Sequence, residues 1–235
     1  MGYEYLLAGL DELQVGQKSK LPFDKLLELL EEQMPPTDFA YIGQLQRKND
    51  DPSILALMED DAVKDRFHET SLSEEDFRTQ LLYEQGMHSR NKFIRAWFEY
   101  NLNLNNVMAA AVCQKHGYDP EKIIVGDNEV AQLLRKGNLA KNANLVAVLP
   151  DLKEIIAVGE IQNLLDREKH IDALRWQWLD NYTLFKYFDL DNVLVYYLQA
   201  EILHRWDDLT REQGEEIFRA LLADMKKDVH FDNKY

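Results

Sequence analysis

One segment of the chain has the spacing of a long amphipathic helix. Residues Asn91–Gln114 contain no proline or glycine, and Gly117 follows as a residue that commonly ends helices. Apolar side chains recur here every three or four positions, which places them on one helix face. They are Phe93, Trp97, Tyr100, Leu104, Met108 and Ala111. At 1.5 Å per residue this helix would be about 35 Å long, and we expect it to be the structural spine.

Helical spacing continues through most of the remaining chain. Leu190–Asp208 carries apolar residues on nearly every side, which is typical of a helix buried among others. The other helices predicted from spacing are Phe23–Met34, Asp151–Asp180 as one helix or two, and Arg211–Lys226 after a capping box at Thr210–Gln213.

Two shorter helices are predicted from their capping residues. Ser71 and Glu74 form a capping box that opens a helix ending near Gly86. Asp127 is the predicted N-cap of a helix over Glu129–Lys136.

The fold class that follows is all-α. Only Tyr3–Leu7, Ile123–Val125 and Leu145–Leu149 have the composition of strands, and each is too short and isolated to form a sheet. No long linker rich in glycine, serine or proline divides the chain. We therefore expect residues 1–235 to form a single helical domain, with two lobes that meet near residues 118–150.

The charge of the chain limits its partners. Its 27 basic and 42 acidic residues give a net charge of −15. Nucleic acid or an anionic lipid surface repels such a protein unless it carries a basic patch, and the longest basic clusters are pairs such as Arg47-Lys48. We therefore predict no nucleic-acid partner. Residues 50–76 hold ten acidic and two basic side chains, which form either a solvated face or mobile loop or a surface that docks onto a basic partner.

The sequence also predicts a cellular compartment. It begins without the basic and apolar segments of a signal peptide, and no apolar run approaches the ~18 residues of a membrane span. A chain whose only cysteine is Cys113 has no internal disulfide and no all-cysteine metal site. These features predict a cytoplasmic protein.

Few patterns in the chain are typical of catalysis or metal binding. Glu201 and His204 have the Glu-x-x-His spacing of di-iron bundles, but such a centre needs a second copy and no other occurs. Cys113 and His116 could pair as thiolate and imidazolium, although cysteine is more often buried and inert. We predict no catalytic residue, no cofactor and no metal site, and we regard Glu201 and His204 as candidates for a partner interface.

Two groups of side chains leave alternatives open. Asparagine is a poor helix former, yet four of the six residues 101–106 are asparagines, either on a solvated face or in buried amide contacts that fix how helices cross. Trp176 and Trp178 point two indoles to different helix faces, and Asp180–Phe188 adds four aromatic residues. We expect core packing for most of them. The alternative is a partner interface, for which Trp176 and Trp178 are the candidates.

Four blocks of the sequence carry a resemblance to a known family. They are Tyr3–Leu10, Phe98–Val107, Ile124–Val130 and Leu198–Trp206. In these blocks the chain resembles an uncharacterised bacterial family encoded beside the subunits of V-type (A/V-type) ATPases. That family is similar in turn to a shortened form of the rotor subunit called C in archaeal and bacterial enzymes and d in eukaryotes. The second likeness rests on a carboxylate followed by an amide-and-apolar helix, here Glu99–Val107 and less clearly Asp191–Glu201.

The resemblance implies an all-helical, funnel-like bundle of pseudo-repeats without catalytic residues. Such a subunit would couple the membrane rotor ring to the central axle of the V-type ATPase, and these two elements would be its partners. It would lie on the cytoplasmic face of the inner membrane, held there through protein contacts only. Two other functions stay open: a helical adaptor or assembly factor for the same complex, and a metal-binding helical-bundle oxidoreductase that uses Glu201 and His204.

Overall fold

The structure, a computed structural model, describes residues 2–15, 20–137, 139 and 143–207. Across these residues the regular secondary structure is helical and no strand occurs, which confirms the all-α class. The helices are α1 Glu4–Ala8, α2 Phe23–Gln33, α3 Pro36–Leu45, α4 Pro52–Met58, α5 Asp61–Glu69, α6 Glu74–Met87, α7 Lys92–His116, α8 Glu129–Arg135, α9 Ala143–Val148, α10 Leu152–Gly159, α11 Leu164–Thr183 and α12 over residues 190–207. Within the described ranges, no helix is both long enough and apolar enough to cross a membrane.

The chain divides into two compact units. Unit 1 consists of Met1–Met34 and Leu179–Tyr235, and unit 2 of Pro35–Trp178. This division falls after Met34 and Trp178, away from residues 118–150, where we expected two lobes of a single domain to meet. The lobes, the funnel and the pseudo-repeats stay predictions.

Unit 1 is built around α2 and α12. Leu26 and Leu30 of α2 are buried, and Tyr197 of α12 is fully buried. The ring of Phe23, at the start of α2, lies 5.7 Å from the Tyr197 ring. The predicted helices at Phe23–Met34 and Leu190–Asp208 are thus confirmed over the described residues. The predicted helix Arg211–Lys226 and its capping box at Thr210–Gln213 lie outside them.

Unit 2 is organised by α7, the predicted spine. The Asn91 side chain accepts a hydrogen bond from the Ile94 amide at 3.1 Å and so caps the first turn. Gly117 ends the helix with φ of +71°, a left-handed conformation that favours glycine. Helices α6, α8 and α10 all contact α7. One buried apolar cluster of this unit consists of Tyr100, Leu104, Val107, Ala110, Ile124, Val130, Ala131, Leu134, Leu139, Leu145, Leu149, Leu152, Ile155, Val158 and Ile171.

Two predicted caps are wrong by one or two positions. Ser73, not Ser71, caps α6 by accepting from the Asp76 amide at 3.1 Å. Asn128, not Asp127, caps α8 by accepting from the Ala131 amide at 2.9 Å. In both cases the capping residue directly precedes the helix in an extended conformation, which aims its side chain at the free amides of the first turn.

The segment after residue 150 resolves the alternative of one helix or two. It forms two helices, α10 and α11, that are separated by residues 160–163.

The acidic stretch at residues 50–76 forms helix starts. Asp51 caps α4 by accepting from the Ser53 amide at 2.8 Å, and Asp60 caps α5 by accepting from the Ala62 amide at 2.9 Å. Further carboxylates occupy the first turns of α5 and α6, where the helix dipole favours negative charge. Hydrogen bonds from the Ser53 hydroxyl and amide hold the pKa of the Asp51 carboxyl below its ordinary value. Much of the acidic stretch therefore has a structural use.

Candidate functional site

The turn between α11 and α12 presents large apolar side chains to solvent. We call residues 184–188 the aromatic segment. Phe185 is 87% exposed and Tyr187 is 77% exposed. Leu184 and Phe188 are also exposed. Soluble proteins seldom cluster exposed aromatic residues without a use, and such clusters are typical of interface centres.

The aromatic segment is held in place by its neighbours in unit 1. The Phe188 carbonyl oxygen accepts a hydrogen bond of 2.7 Å from the Tyr3 amide. Phe188 has φ of +59°, a conformation that a bulky residue keeps only where its surroundings enforce it. The Lys186 ammonium pairs with the Asp191 carboxylate and lies 4.0 Å from the centre of the Tyr182 ring. The exposed rings are thus presented on a fixed backbone.

Lys186 is charged in this arrangement. Burial is the largest single influence and would lower the pKa, but the hydrogen bond and charge of Asp191, together with Tyr182, outweigh it, so the pKa of Lys186 is raised. A pocket of about 260 Å³ adjoins it, lined in part by Tyr187, Phe188 and Tyr196. Exposed rings, an adjoining pocket and one fixed cation together suit contact with another protein.

The two tryptophans predicted as interface candidates lie in α11. Trp176 is 9% exposed. The Trp178 ring stacks on Tyr100 with 5.0 Å between ring centres and lies 5.6 Å from the Trp97 ring. Trp178 therefore belongs to an aromatic cluster with the spine, as core packing would require. A partner contact by either indole stays a prediction.

The other two candidates, Glu201 and His204, lie on α12. Both are partly buried. The His204 ring stacks on Phe23 at 4.8 Å between ring centres, with 13° between the planes. Across the described ranges, no group of three or more His, Cys, Asp or Glu side chains is arranged to hold a metal ion. A role for Glu201 and His204 at a partner interface also stays a prediction.

Four asparagine side chains of α7, three of them buried, join this helix to its neighbours. We call Asn101, Asn103, Asn105 and Asn106 the amide seam. The Asn106 side chain donates to the Val125 carbonyl oxygen at 2.7 Å and accepts from the Val125 amide at 3.1 Å. It therefore pairs with Val125 as a strand backbone would. Asn103 accepts from the Asn128 side-chain amide at 2.8 Å, which fixes the residue that caps α8.

Further members extend the amide seam. Asn105 donates to the Tyr83 hydroxyl at 2.6 Å, which ties α7 to α6. Asn101 accepts from Arg175 Nε at 2.9 Å, which ties α7 to α11. Asn101, Asn103 and Asn106 are buried and Asn105 is half-buried, so the structure favours the amide contacts over a solvated face. Satisfied polar networks of this kind favour one packing arrangement over others.

Cys113 lies in a buried position on α7. It is 2% exposed. Burial raises the pKa of its thiol, and the negative charge of Asp119 raises it further. The exposed His116 ring stacks on the Tyr118 ring, with 5.5 Å between ring centres. A raised pKa disfavours the thiolate, so Cys113 lacks the environment of an activated nucleophile.

Residues 62–229 match the family model described as "Protein of unknown function (DUF2764)". This match spans more than half of the 235 residues. The chain belongs to this family. No curated protein and no solved structure matches the chain.

The features described above fall largely within the DUF2764 match. Residues 62–229 include the amide seam, the aromatic segment and all four predicted interface candidates. Helices α1 to α4 precede the matched range.

We expected core packing for most of the aromatic residues between Trp176 and Phe188, but Phe185, Tyr187 and Phe188 are exposed. A signal was available: Phe185, Tyr187 and Phe188 fall within four consecutive positions and cannot share one helix face. Helix α11 ends at Thr183, so these rings leave the helical pattern before α12 begins.

Proposed function

We propose that this DUF2764 protein is a non-catalytic coupling subunit of a V-type ATPase. It connects the membrane rotor ring to the central axle and lies on the cytoplasmic face of the inner membrane through protein contacts only. The four sequence blocks that resemble the ATPase-associated family supply the identity of the complex. The all-helical fold agrees with a body of this kind.

The aromatic segment is the observation that carries the proposal. Phe185 and Tyr187 are the most exposed rings of the segment, yet their backbone is fixed by Tyr3 and by the Lys186–Asp191 pair. A rigid aromatic surface loses little conformational entropy when a partner covers it. This favours a permanent protein contact over a transient exposure of core residues.

The amide seam gives further support. A part that transmits torque must not let its helices slide past one another. Asn106 and Asn103 hold the α8 entry to α7 by directional hydrogen bonds, which oppose sliding more than apolar contacts alone.

Affinity purification from native membranes tests the proposal. The tagged full-length protein is expressed in its own host, membranes are solubilised in mild detergent, and the captured subunits are quantified by mass spectrometry. We expect the ring and axle subunits of the V-type ATPase in constant ratio to the tagged chain. Absence of both subunits would refute the proposal, and a ratio far below one chain per complex would favour an assembly factor.

A matched pair of variants tests the role of the aromatic segment. The double variant Phe185→Ala/Tyr187→Ala removes the two most exposed rings of the segment, and we expect it to lose most of the captured subunits. Tyr118→Ala removes a ring that is 55% exposed in unit 2 and should capture them as the wild type does. If both variants capture the same amount of ATPase subunits, the aromatic segment is not part of the interface. Circular dichroism confirms that each variant is folded.

A further inference from the structure

A basic surface pocket in unit 2 is lined by residues that belong to neither the aromatic segment nor the amide seam. It has a volume of about 570 Å³, within the usual range for small-molecule sites. Its walls come from α3, from the end of α6 and from the turn before α7. The residues that matter here are Tyr41, Gln44, Arg47, His88, Ser89 and Arg90.

The charge of this pocket contrasts with that of the chain. Two arginines and a histidine line it, and none of its described lining residues is a carboxylate, although the chain carries a net charge of −15. Glu84 is nearby in sequence, but its carboxylate accepts two bonds from Arg66, at 2.7 and 2.9 Å. Asp38, beside the lining residue Thr37, is the other acid next to the pocket in sequence. The Asp51 carboxylate interacts with the charge of Arg47 but does not line the pocket. Among the described lining residues, Arg47 and Arg90 carry the formal charges, so the lining itself is positive.

Several donors of the pocket are held in position by bonds to neighbours. Arg47 Nη1 donates to the Gln85 side chain at 3.3 Å. The hydroxyl of the buried Ser89 donates to the Gln44 side chain at 2.7 Å. His88 Nδ1 lies 2.7 Å from the Glu84 carbonyl oxygen, an acceptor, so Nδ1 carries hydrogen and this bond fixes the ring at the pocket wall.

Hydrogen bonds from Arg95 also hold the backbone of the turn that carries Arg90. Arg95 Nη1 donates to the carbonyl oxygens of Ser89 and Arg90, at 2.7 and 3.1 Å. Its guanidinium adds a further positive charge next to the turn, which precedes the amino end of the 25-residue helix α7. The Arg90 side chain itself is exposed and can move onto an anion.

We propose that this pocket binds a small molecule that carries a phosphate monoester. Arginine matches the oxygens of phosphate with two parallel hydrogen bonds, and two arginines balance the roughly two negative charges of a monoester. A lone phosphate is much smaller than the pocket, so the remaining space, bordered by the Tyr41 ring, accommodates an organic group. This site is independent of the proposed coupling role, since its residues are distinct from the aromatic segment and the amide seam.

Titration calorimetry with the full-length protein tests the site, using glycerol 3-phosphate, AMP and inorganic phosphate as probes at constant ionic strength. We expect saturable binding of at least one monoester, tighter than that of inorganic phosphate. Arg90→Gln changes an exposed side chain, so it should fold normally and weaken binding about tenfold, the usual effect of losing a charged hydrogen bond. Arg47→Gln/Arg90→Gln should abolish measurable binding.

The control keeps the same change in charge close to the pocket. Lys48→Gln/Lys92→Gln removes two exposed lysines that neighbour Arg47 and Arg90 in sequence but do not line the pocket. It should bind within about twofold of the wild type, because only screened, long-range charge is lost. Three results would overturn the proposal. They are that neither monoester saturates the protein by about 10 mM, that inorganic phosphate binds as tightly as the monoesters, or that the lysine and arginine variants lose the same amount of monoester affinity.

Discussion

Replacing Asn106 by aspartate isolates one donor of the amide seam. Asn106→Asp keeps the shape of the side chain and the oxygen that accepts from the Val125 amide. It replaces the nitrogen that donates to the Val125 carbonyl oxygen at 2.7 Å. Asn106 is 2% exposed, so the new carboxylate would be buried against a carbonyl oxygen. Loss of the donor, burial of charge and repulsion should lower the free energy of unfolding at pH 7 by about 2 to 4 kcal/mol.

The pH dependence of this loss tests its cause. Burial raises the pKa of the introduced carboxyl above its unfolded value of about 3.9. The loss of unfolding free energy relative to wild type therefore has its full size at pH values above the folded pKa of this carboxyl. It becomes smaller as pH falls through that pKa, because the protonated carboxyl can again donate to Val125.

Urea unfolding followed by far-UV circular dichroism, at pH 7 and at pH 5, measures the deficit in each condition. Asn181→Asp, at an exposed position of α11, is the control and should stay within about 0.5 kcal/mol of wild type. A deficit below about 1 kcal/mol at pH 7, or one that does not shrink at lower pH, would refute the account of the seam.

Three further predictions concern other parts of the chain. A Cβ added at Gly86 would lie 2.1 Å from Phe98, so Gly86→Ala should destabilise by about 1 to 3 kcal/mol. A Cβ added at Gly43 meets nothing within 4 Å, so Gly43→Ala should stabilise α3 by up to about 1 kcal/mol. Thermal unfolding measures both variants. A higher melting temperature in both would contradict the packing argument for Gly86. Because the folded pKa of Asp51 is lowered, its contribution to stability is present above its unfolded pKa and disappears as pH falls through the folded pKa. Ser53→Ala should raise the pKa of Asp51 towards its ordinary value in a carbon-13 NMR titration, and an unchanged pKa would exclude Ser53 as the cause. The buried Cys113 thiol should resist a thiol-specific reagent until urea unfolds the chain, whereas rapid labelling of the native protein would show that it is accessible.

The sequence predicted α7 closely because several signals agreed there. The apolar spacing, the absence of proline and glycine, and Gly117 all indicated one helix with one end. The caps of α6 and α8 were missed because good capping residues compete at neighbouring positions. Ser71 and Ser73 precede α6, and the position that is chosen depends on where packing against α7 starts the helix.

The candidate sites were harder to predict because they join distant parts of the chain. No short sequence pattern connects Asn106 with Val125, or Gln80 with the Gly126 amide that it binds at 3.1 Å. The basic pocket was missed for the same reason: Arg47 and Arg90 are 43 positions apart in the sequence and line one pocket only in the folded chain. The exposure of Phe185 likewise depends on where α11 ends.

Asn106 of the amide seam holds the main chain of Val125, Gln80 of α6 binds the Gly126 amide, and the next side chain, Asp127, is exposed to solvent. A probe attached at position 127 would therefore inherit the orientation of α7 itself. The spectrum of a nitroxide or fluorophore placed there would report the rotation of the whole helix, because local motion of the loop adds little to the motion of the probe.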